Sequence, residues 1–100
     1  MAKRAVDNCD LERWRATPSL VVLRALAEHA KQDTSFVPIA AESTTRWHAT
    51  VAGRDYELLL TGPKFFDTRA QKGGGGAVDL AMHLCSLDFK GAVSRLRSIL

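Results

Sequence analysis

The stretch from Lys64 to Leu96 reads KFFDTRAQKGGGGAVDLAMHLCSLDFKGAVSRL, and most of what can be predicted about the fold depends on it. A short aromatic strand at its start leads into four consecutive glycines, Gly73–Gly76. Two amphipathic helical patterns follow, and a turn over residues 86–88 separates them. Because ordering four glycines is entropically costly, we expect the fold to use their backbone.

The second half of this stretch predicts two short helices. The first runs from Ala77 to Cys85, with apolar side chains at helical spacing. The second begins after Asp88, a suitable N-cap, and its apolar stripe reaches Leu100. This last helix has no C-terminal cap, so two possibilities stay open: the chain ends there, or it is the N-terminal module of a longer protein.

Upstream of the glycines, alternating apolar and polar residues predict three strands. These strands cover residues 46–52, 56–60 and 64–68, with turns at Gly53-Arg54 and over residues 61–63. Short turns join antiparallel neighbours, so we expect a small three-stranded antiparallel meander.

The N-terminal part is expected to be helical. Pro18 suits the first position of a helix with Thr17 as its N-cap, and apolar spacing extends the helix to about Lys31. A polar connection over residues 32–45 follows. The sequence therefore predicts the α+β class: residues 1–45 form an N-terminal helical segment and connection, and residues 46–100 form the meander and two helices, in one compact domain.

Composition limits the class of protein. The chain has 100 residues, of which 46% are hydrophobic, a size that favours one domain with a modest core. No apolar run approaches the ~20 residues that span a bilayer, and no apolar signal-peptide core follows the basic start. We therefore expect a cytoplasmic protein without a membrane partner.

The charge is distributed unevenly. The net charge is +3, and residues 1–45 hold six basic and six acidic side chains. Residues 46–100 hold eight basic and five acidic ones, so the whole excess lies there. This distribution favours a polyanionic partner, although the excess is small.

The order of these features resembles the zinc-binding (Cys-His-Cys-Cys) domain of bacterial DNA primases. It is also similar to related N-terminal modules of plasmid and phage primase-like, Toprim-containing proteins. The resemblance covers residues 45–100, and it comprises an aromatic pair, a glycine turn with a helix start, and a closing helix (Phe65 and Phe66; Gly75, Ala77, Val78, Asp79 and Leu80; Leu87, Phe89, Ala92, Val93 and Leu96). It implies a zinc-ribbon-like meander in a module that contacts the template strand.

The zinc ligands of that family are absent. In the register set by Ala77-Val78-Asp79, two of its cysteines fall on Thr68 and Gln71. Near the start of the meander, where the first ligand pair belongs, only His48 could bind a metal. A structural zinc site needs four nitrogen or sulfur ligands, so we expect a degenerate, metal-free form without cofactors. Packing of the meander's large apolar side chains would replace the metal (Trp47, Tyr56, Leu58, Leu60, Phe65 and Phe66).

The glycine cluster admits three interpretations. It is a turn with special dihedral angles, a phosphate-contacting loop formed by the backbone of Gly73, Gly74, Gly75 and Gly76, or a place where a partner chain approaches closely. Neither a P-loop nor a dinucleotide-binding fingerprint is present, because the required Lys-Ser/Thr and βαβ contexts are missing. The sequence leaves these three interpretations open.

A run of basic and aromatic residues is the candidate nucleic-acid site. Aromatic rings on strands stack on unpaired bases while cations follow the phosphates. The proposed contacts are five residues of this run and two arginines of the meander (Lys64, Phe65, Phe66, Arg69 and Lys72; Arg46 and Arg54). The alternative is that the rings divide between core and surface and the cations are merely solvated.

No catalytic constellation can be recognised in the sequence. The three histidines are scattered, and no serine, cysteine or aspartate has a recognisable triad partner. We therefore expect a non-catalytic module that binds single-stranded nucleic acid, DNA in particular, in replication or transfer of a plasmid or other mobile element. The alternative is a protein-interaction module of such a complex, with a primase, helicase or relaxase-type partner.

Overall fold

The computed structural model describes residues 8–38 and 43–100. They form an α+β fold, which confirms the predicted class. In chain order the elements are two helices, five strands and two further helices: α1 (Asn8–Ala16), α2 (Ser19–Leu26), β1 (His29–Asp33), β2 (Thr45–Val51), β3 (Arg54–Thr61), β4 (Lys64–Asp67), β5 (Lys72–Gly74), α3 (Ala77–Cys85) and α4 (Phe89–Ile99).

Within the described residues the sheet has five antiparallel strands in the order β1-β2-β3-β4-β5. The three predicted strands correspond to β2, β3 and β4, but the expectation of a sheet with only three strands was wrong. The two additional strands lie at its edges. Strand β1, HAKQD, lacks β-branched and aromatic residues, and β5 consists of a lysine and two glycines. Neither has intrinsic strand propensity, so pairing with a neighbouring strand is what makes them strands.

The predicted helix from Pro18 to Lys31 is too long. Helix α2 ends at Leu26, where the backbone of Ala27 becomes extended, and Glu28 N–H donates to the carbonyl of Thr50 on β2. Thr17 is not the N-cap either. Pro18 occupies that position, and the Thr17 hydroxyl donates to the carbonyl of Arg13 in α1.

The C-terminal helices agree with the expectation. Helix α3 has the predicted bounds, and the carboxylate of Asp88 accepts the backbone N–H of Gly91 as N-cap of α4. No helix in residues 8–38 or 43–100 is long and apolar enough to cross a bilayer.

All four helices lie on one side of the sheet and form a single core with it. Helices α2 and α3 contact the sheet, while α1 and α4 pack on α3. The buried apolar side chains come from every second residue of the strands and from the apolar stripes of the helices (Trp14, Val22, Leu23, Leu26, Trp47, Ala49, Val51, Tyr56, Leu58, Leu60, Phe65, Ala77, Leu80, Ala81, Leu84, Ala92, Val93 and Leu96). One face of the sheet is therefore covered.

Candidate nucleic-acid interface

The opposite face of the sheet, called here the open face, has no described helix packed on it. Cross-strand partners point to the same side of a sheet, so the register defines this face. Its side chains lie in rows across the strands: Thr61 and Lys64; Asp33, Arg46, Leu59 and Phe66; Lys31, His48, Glu57 and Thr68; His29, Thr50 and Asp55. Apart from Leu59 and Phe66, all of these side chains are polar.

Of the two adjacent phenylalanines, only one is available to a ligand. Phe65 is 6% exposed and packs in the core against the imidazole of His83, whereas Phe66 is 37% exposed on the open face. Strand alternation explains this division, which agrees with the alternative for the two rings given above rather than with the proposal that both contact the ligand. Phe65 is therefore too buried to stack on a base. Phe66 buries less of its ring in the core than the predicted packing of the meander requires.

Arg46 lies on the open face, but carboxylates already neutralise its charge. Its guanidinium donates to Asp33 through Nε at 2.9 Å and Nη2 at 2.6 Å, and Nη1 lies 3.9 Å from Glu57. Hydrogen bonds from Ser35 and Arg46 lower the pKa of Asp33 well below its usual range, and the same ion pair raises the pKa of Arg46. The Arg46 guanidinium also stacks over the ring of Phe36, at 5.3 Å.

Three other cations at this face have no acidic partner among the described residues. Lys64 lies on β4, Lys31 lies on β1, and Arg69 follows β4 in the turn towards β5. All three side chains are exposed. Lys31 was not among the predicted contacts because the sequence placed it at the end of a helix.

The two remaining predicted contacts lie elsewhere. Lys72 is the cross-strand partner of Asp67, which puts it on the helix-covered side at the edge of the sheet. Arg54 lies at the β2–β3 hairpin and donates to the hydroxyl of Ser86, after α3. The seven predicted residues therefore do not form one surface. Four of them lie on the open face (Lys64, Phe66, Arg46 and Arg69), and three lie elsewhere (Phe65, Lys72 and Arg54).

The glycine cluster is used for close packing and for entry into α3. A Cβ atom on Gly74 would lie 2.7 Å from the Cβ of Asp79 and 2.7 Å from the ring of Phe65, whereas Gly75 has open space. The backbone N–H of Gly75 donates to the carboxylate of Asp79 at 3.2 Å. A phosphate at this helix start would meet that carboxylate, so the loop is a poor anion site.

A buried pair that the sequence did not reveal joins the sheet to α3. Asp67 is 3% exposed, and its Oδ2 lies 2.6 Å from Nε2 of His83. Its Oδ1 accepts the backbone N–H groups of Arg69 and Ala70. Burial raises the pKa of Asp67, but the hydrogen bonds from His83 and these amides outweigh it, so the pKa is lowered. The alternation that buries Phe65 also points Asp67 inwards, so the strand pattern of the sequence could have predicted that Asp67 is buried.

Hydrogen bonds close the turn where the primase resemblance places two thiolates. The side-chain amide of Gln71 donates to the carbonyl of Thr68 at 2.7 Å, and the Thr68 hydroxyl bonds to Glu57. Together with the Asp67–His83 pair, these contacts hold the turn against β3 and α3. Within residues 8–38 and 43–100, no group of three or more histidine, cysteine or acidic side chains could hold a metal ion.

A second candidate surface lies on the helical side. Helices α1, α3 and α4 enclose a groove of about 300 Å³ with mostly apolar walls, including Leu11, Met82 and Phe89. Phe89 is 44% exposed. Trp14 also lines the groove, and its indole nitrogen is the one buried side-chain nitrogen or oxygen without a hydrogen-bond partner in the described structure.

Comparison with known proteins finds a partial relative of this chain. No protein-family model and no solved structure matches this chain. A protein of Zymomonas mobilis subsp. mobilis, described as "65 kDa protein", is 51% identical to it over 41 residues. The match covers 41% of this chain and 7% of the relative, so the chain spans a small fraction of the relative's length. It does not assign a family.

Proposed function

We propose that this chain is a non-catalytic module that binds single-stranded nucleic acid, DNA in particular, on the open face of its sheet. The observation that supports this best is the position of Phe66. It is a partly exposed ring on a sheet face that the described helices leave uncovered, and Lys64 lies two residues away on the same face. Flat aromatic rings bind unpaired bases, and lysines bind the phosphates between them.

The charge balance of the open face favours a polyanion only locally. Asp33 and Glu57 outweigh Arg46 by one negative charge, so the attraction comes from Lys31, Lys64 and Arg69, which lie around the middle of the sheet. A single strand of nucleic acid would contact Phe66 and Leu59 in the middle of the sheet. Because phosphate contacts release counterions, binding should weaken as the salt concentration rises.

The resemblance to the template-contacting domain of primases supports the same function. It extends the proposal to replication or transfer of a plasmid or other mobile element, as part of a complex with a primase, helicase or relaxase-type protein. In this chain, packing and the hydrogen-bonded turn at Thr68 and Gln71 would take the place of zinc, and no cofactor is required. The module would act in the cytoplasm.

A matched pair of variants tests this function. Lys64→Ala with Phe66→Ala removes an exposed cation and ring from the open face, and Phe89→Ala with Lys90→Ala removes the same two groups from α4. We expect the first variant to bind a fluorescent single strand about 10- to 100-fold more weakly in anisotropy titrations, and the second to bind like the parent. Unchanged affinity of the open-face variant, with thermal stability intact, would refute the proposal. Duplex of the same length and a second salt concentration complete the experiment.

The groove beside α1 favours a second function, in which the chain docks a partner protein without touching nucleic acid. An exposed ring and an unpartnered indole N–H at an apolar groove are typical of such surfaces. The same two variants discriminate between the functions. Under the docking hypothesis, no single-strand binding occurs, and Phe89→Ala with Lys90→Ala is the variant that loses complex formation with a primase, helicase or relaxase-type protein.

A further inference from the structure

A recess lies at one end of the open face, away from Lys64. It has a volume of about 310 Å³, and the side chains around it come from three strands and the turn after β4 (His29, Lys31, His48, Thr50, Asp55 and Arg69). The register places His29 beside Thr50 and Lys31 beside His48. The recess therefore gathers two imidazoles, an ammonium and a guanidinium at one place on the sheet.

The charged side chains that line this recess leave it with one net positive charge, from two cations and one carboxylate. Lys31 and Arg69 have no ion-pair partner within the described residues. Asp55 is the carboxylate that lines the recess, and it accepts the hydroxyl of Thr50 at 2.9 Å. Two further acids lie nearby on the sheet. Asp33 pairs with Arg46 and lies 3.8 Å from His48, while Glu57 accepts the Thr68 hydroxyl and lies 3.9 Å from Arg46, so its negative charge offsets part of the attraction.

We propose that this recess binds a phosphate group of the strand that the open face holds. A guanidinium forms paired hydrogen bonds to phosphate oxygens, and an ammonium and ring N–H groups donate to the remaining ones. The volume corresponds to about ten water molecules, which exceeds the size of a phosphate group. This inference rests on the proposed function, but it adds a specific ligand group and two residues, His29 and His48, that no sequence motif indicated.

The recess lies on the same face of the sheet as Phe66, at a distance that the register of the strands defines. Arg46 is in the row of Phe66 and Thr50 is in the row of His29, four residues further along β2. At about 3.3 Å per residue, the two rows are about 13 Å apart. A short segment of single strand spans that distance, so a base on Phe66 and a phosphate in the recess can belong to one bound strand. The phosphate is either a terminal monoester, which carries more charge, or an internal diester.

Two titrations test the recess, with Lys31→Ala plus Arg69→Ala as the variant and Lys90→Ala plus Arg95→Ala on α4 as the control of equal charge. In the first titration, inorganic phosphate is added to the protein and the ring signals of His29 and His48 are followed by NMR. In the second, the affinities of one single-stranded oligonucleotide are compared with 5′-phosphate, 3′-phosphate and unmodified ends.

The expected result is that phosphate shifts both imidazole signals in the parent and in the control, and that the recess variant loses the shift. A terminal phosphate that strengthens binding about tenfold in the parent but not in the recess variant identifies the monoester as the ligand. An equal loss for all three oligonucleotides in the recess variant identifies an internal diester. If the recess variant keeps both the shift and the parent's affinities, the inference is wrong, whether or not the strand binds at Phe66. If the parent binds no single strand while phosphate still shifts the imidazoles, the proposed function fails separately.

Discussion

The carboxylate of Asp67 and the imidazole of His83 form a nearly buried pair, with 2.6 Å between Oδ2 and Nε2. An ionised carboxylate can only accept hydrogen bonds, so at neutral pH this contact requires the His83 tautomer in which Nε2 donates to Asp67. The His83 ring also contacts the rings of Tyr56 and Phe65. The pair therefore ties the last turn of the sheet to α3 at the place where the primase resemblance has its metal site.

Asp67→Asn should destabilise the protein by about 2 kcal/mol, because it weakens a charged hydrogen bond in a buried site. It should also flatten the acid limb of the stability profile. The folded state lowers the pKa of Asp67, so its contribution is present above the unfolded pKa of about 3.9 and is lost as the pH falls through the folded value. Urea unfolding between pH 3 and pH 7 measures both effects.

The matched control for that experiment is Asp55→Asn. Asp55 is an exposed aspartate on the open face, and its hydrogen bond comes from the Thr50 hydroxyl. Its substitution should change the free energy of unfolding by less than about 0.5 kcal/mol. Equal effects of the two substitutions would contradict the role given to the Asp67–His83 pair.

Two neighbouring glycines should respond differently to alanine. Gly74→Ala puts a methyl group 2.7 Å from both Asp79 and Phe65, and we expect a loss of about 1–3 kcal/mol in the free energy of unfolding. Gly75→Ala meets no atom within 4 Å, so it should be neutral or stabilising by up to about 1 kcal/mol. Urea denaturation midpoints of the two variants decide the matter. A tolerated Gly74→Ala would mean that close packing is not what requires glycine there.

Asp33→Asn should strengthen single-strand binding. It removes the nearer of the two carboxylates beside Arg46, leaving Glu57, and it keeps an oxygen that can accept the Ser35 N–H. We expect roughly three- to tenfold higher affinity in low salt. The logarithm of the binding constant should also fall more steeply with the logarithm of the salt concentration, by the amount expected for about one additional phosphate contact. Asp10→Asn, which frees Arg13 and Arg97 on the helical side, changes the net charge equally and should have no effect. A similar gain in affinity from both substitutions would indicate that the net charge of the protein, and not a site around Arg46, causes the effect.

Phe66→Trp should report on the bound base directly. The native tryptophans, Trp14 and Trp47, are both buried, so the parent's fluorescence should change little on binding. An indole at position 66 stacks at least as well as the phenylalanine ring, so we expect unchanged or higher affinity with strong quenching by a single strand. Binding without quenching would place the strand away from this residue.

The helices of the second half could be predicted because their signals are local. Apolar spacing and the Asp88 N-cap are contained within a few residues of one another, and both agree with the structure. Strand alternation also required that one of the two adjacent rings, Phe65 and Phe66, face the core, but it did not say which one. The local signals were misleading for both edge strands: Ala27 and Ala30 continue the helical spacing although Ala30 belongs to β1, and the glycine-rich stretch of β5 has the composition of a turn.

By itself, the sequence determined the α+β class and the glycine turn into α3, because periodicity and turn residues can be recognised along the chain. Only the tertiary structure decided that β1 and β5 extend the sheet and that Asp67 meets His83. It also decided that Arg46 is neutralised while Lys31 and Arg69 lie around one recess. These features depend on contacts between residues far apart in sequence, which local propensity does not encode.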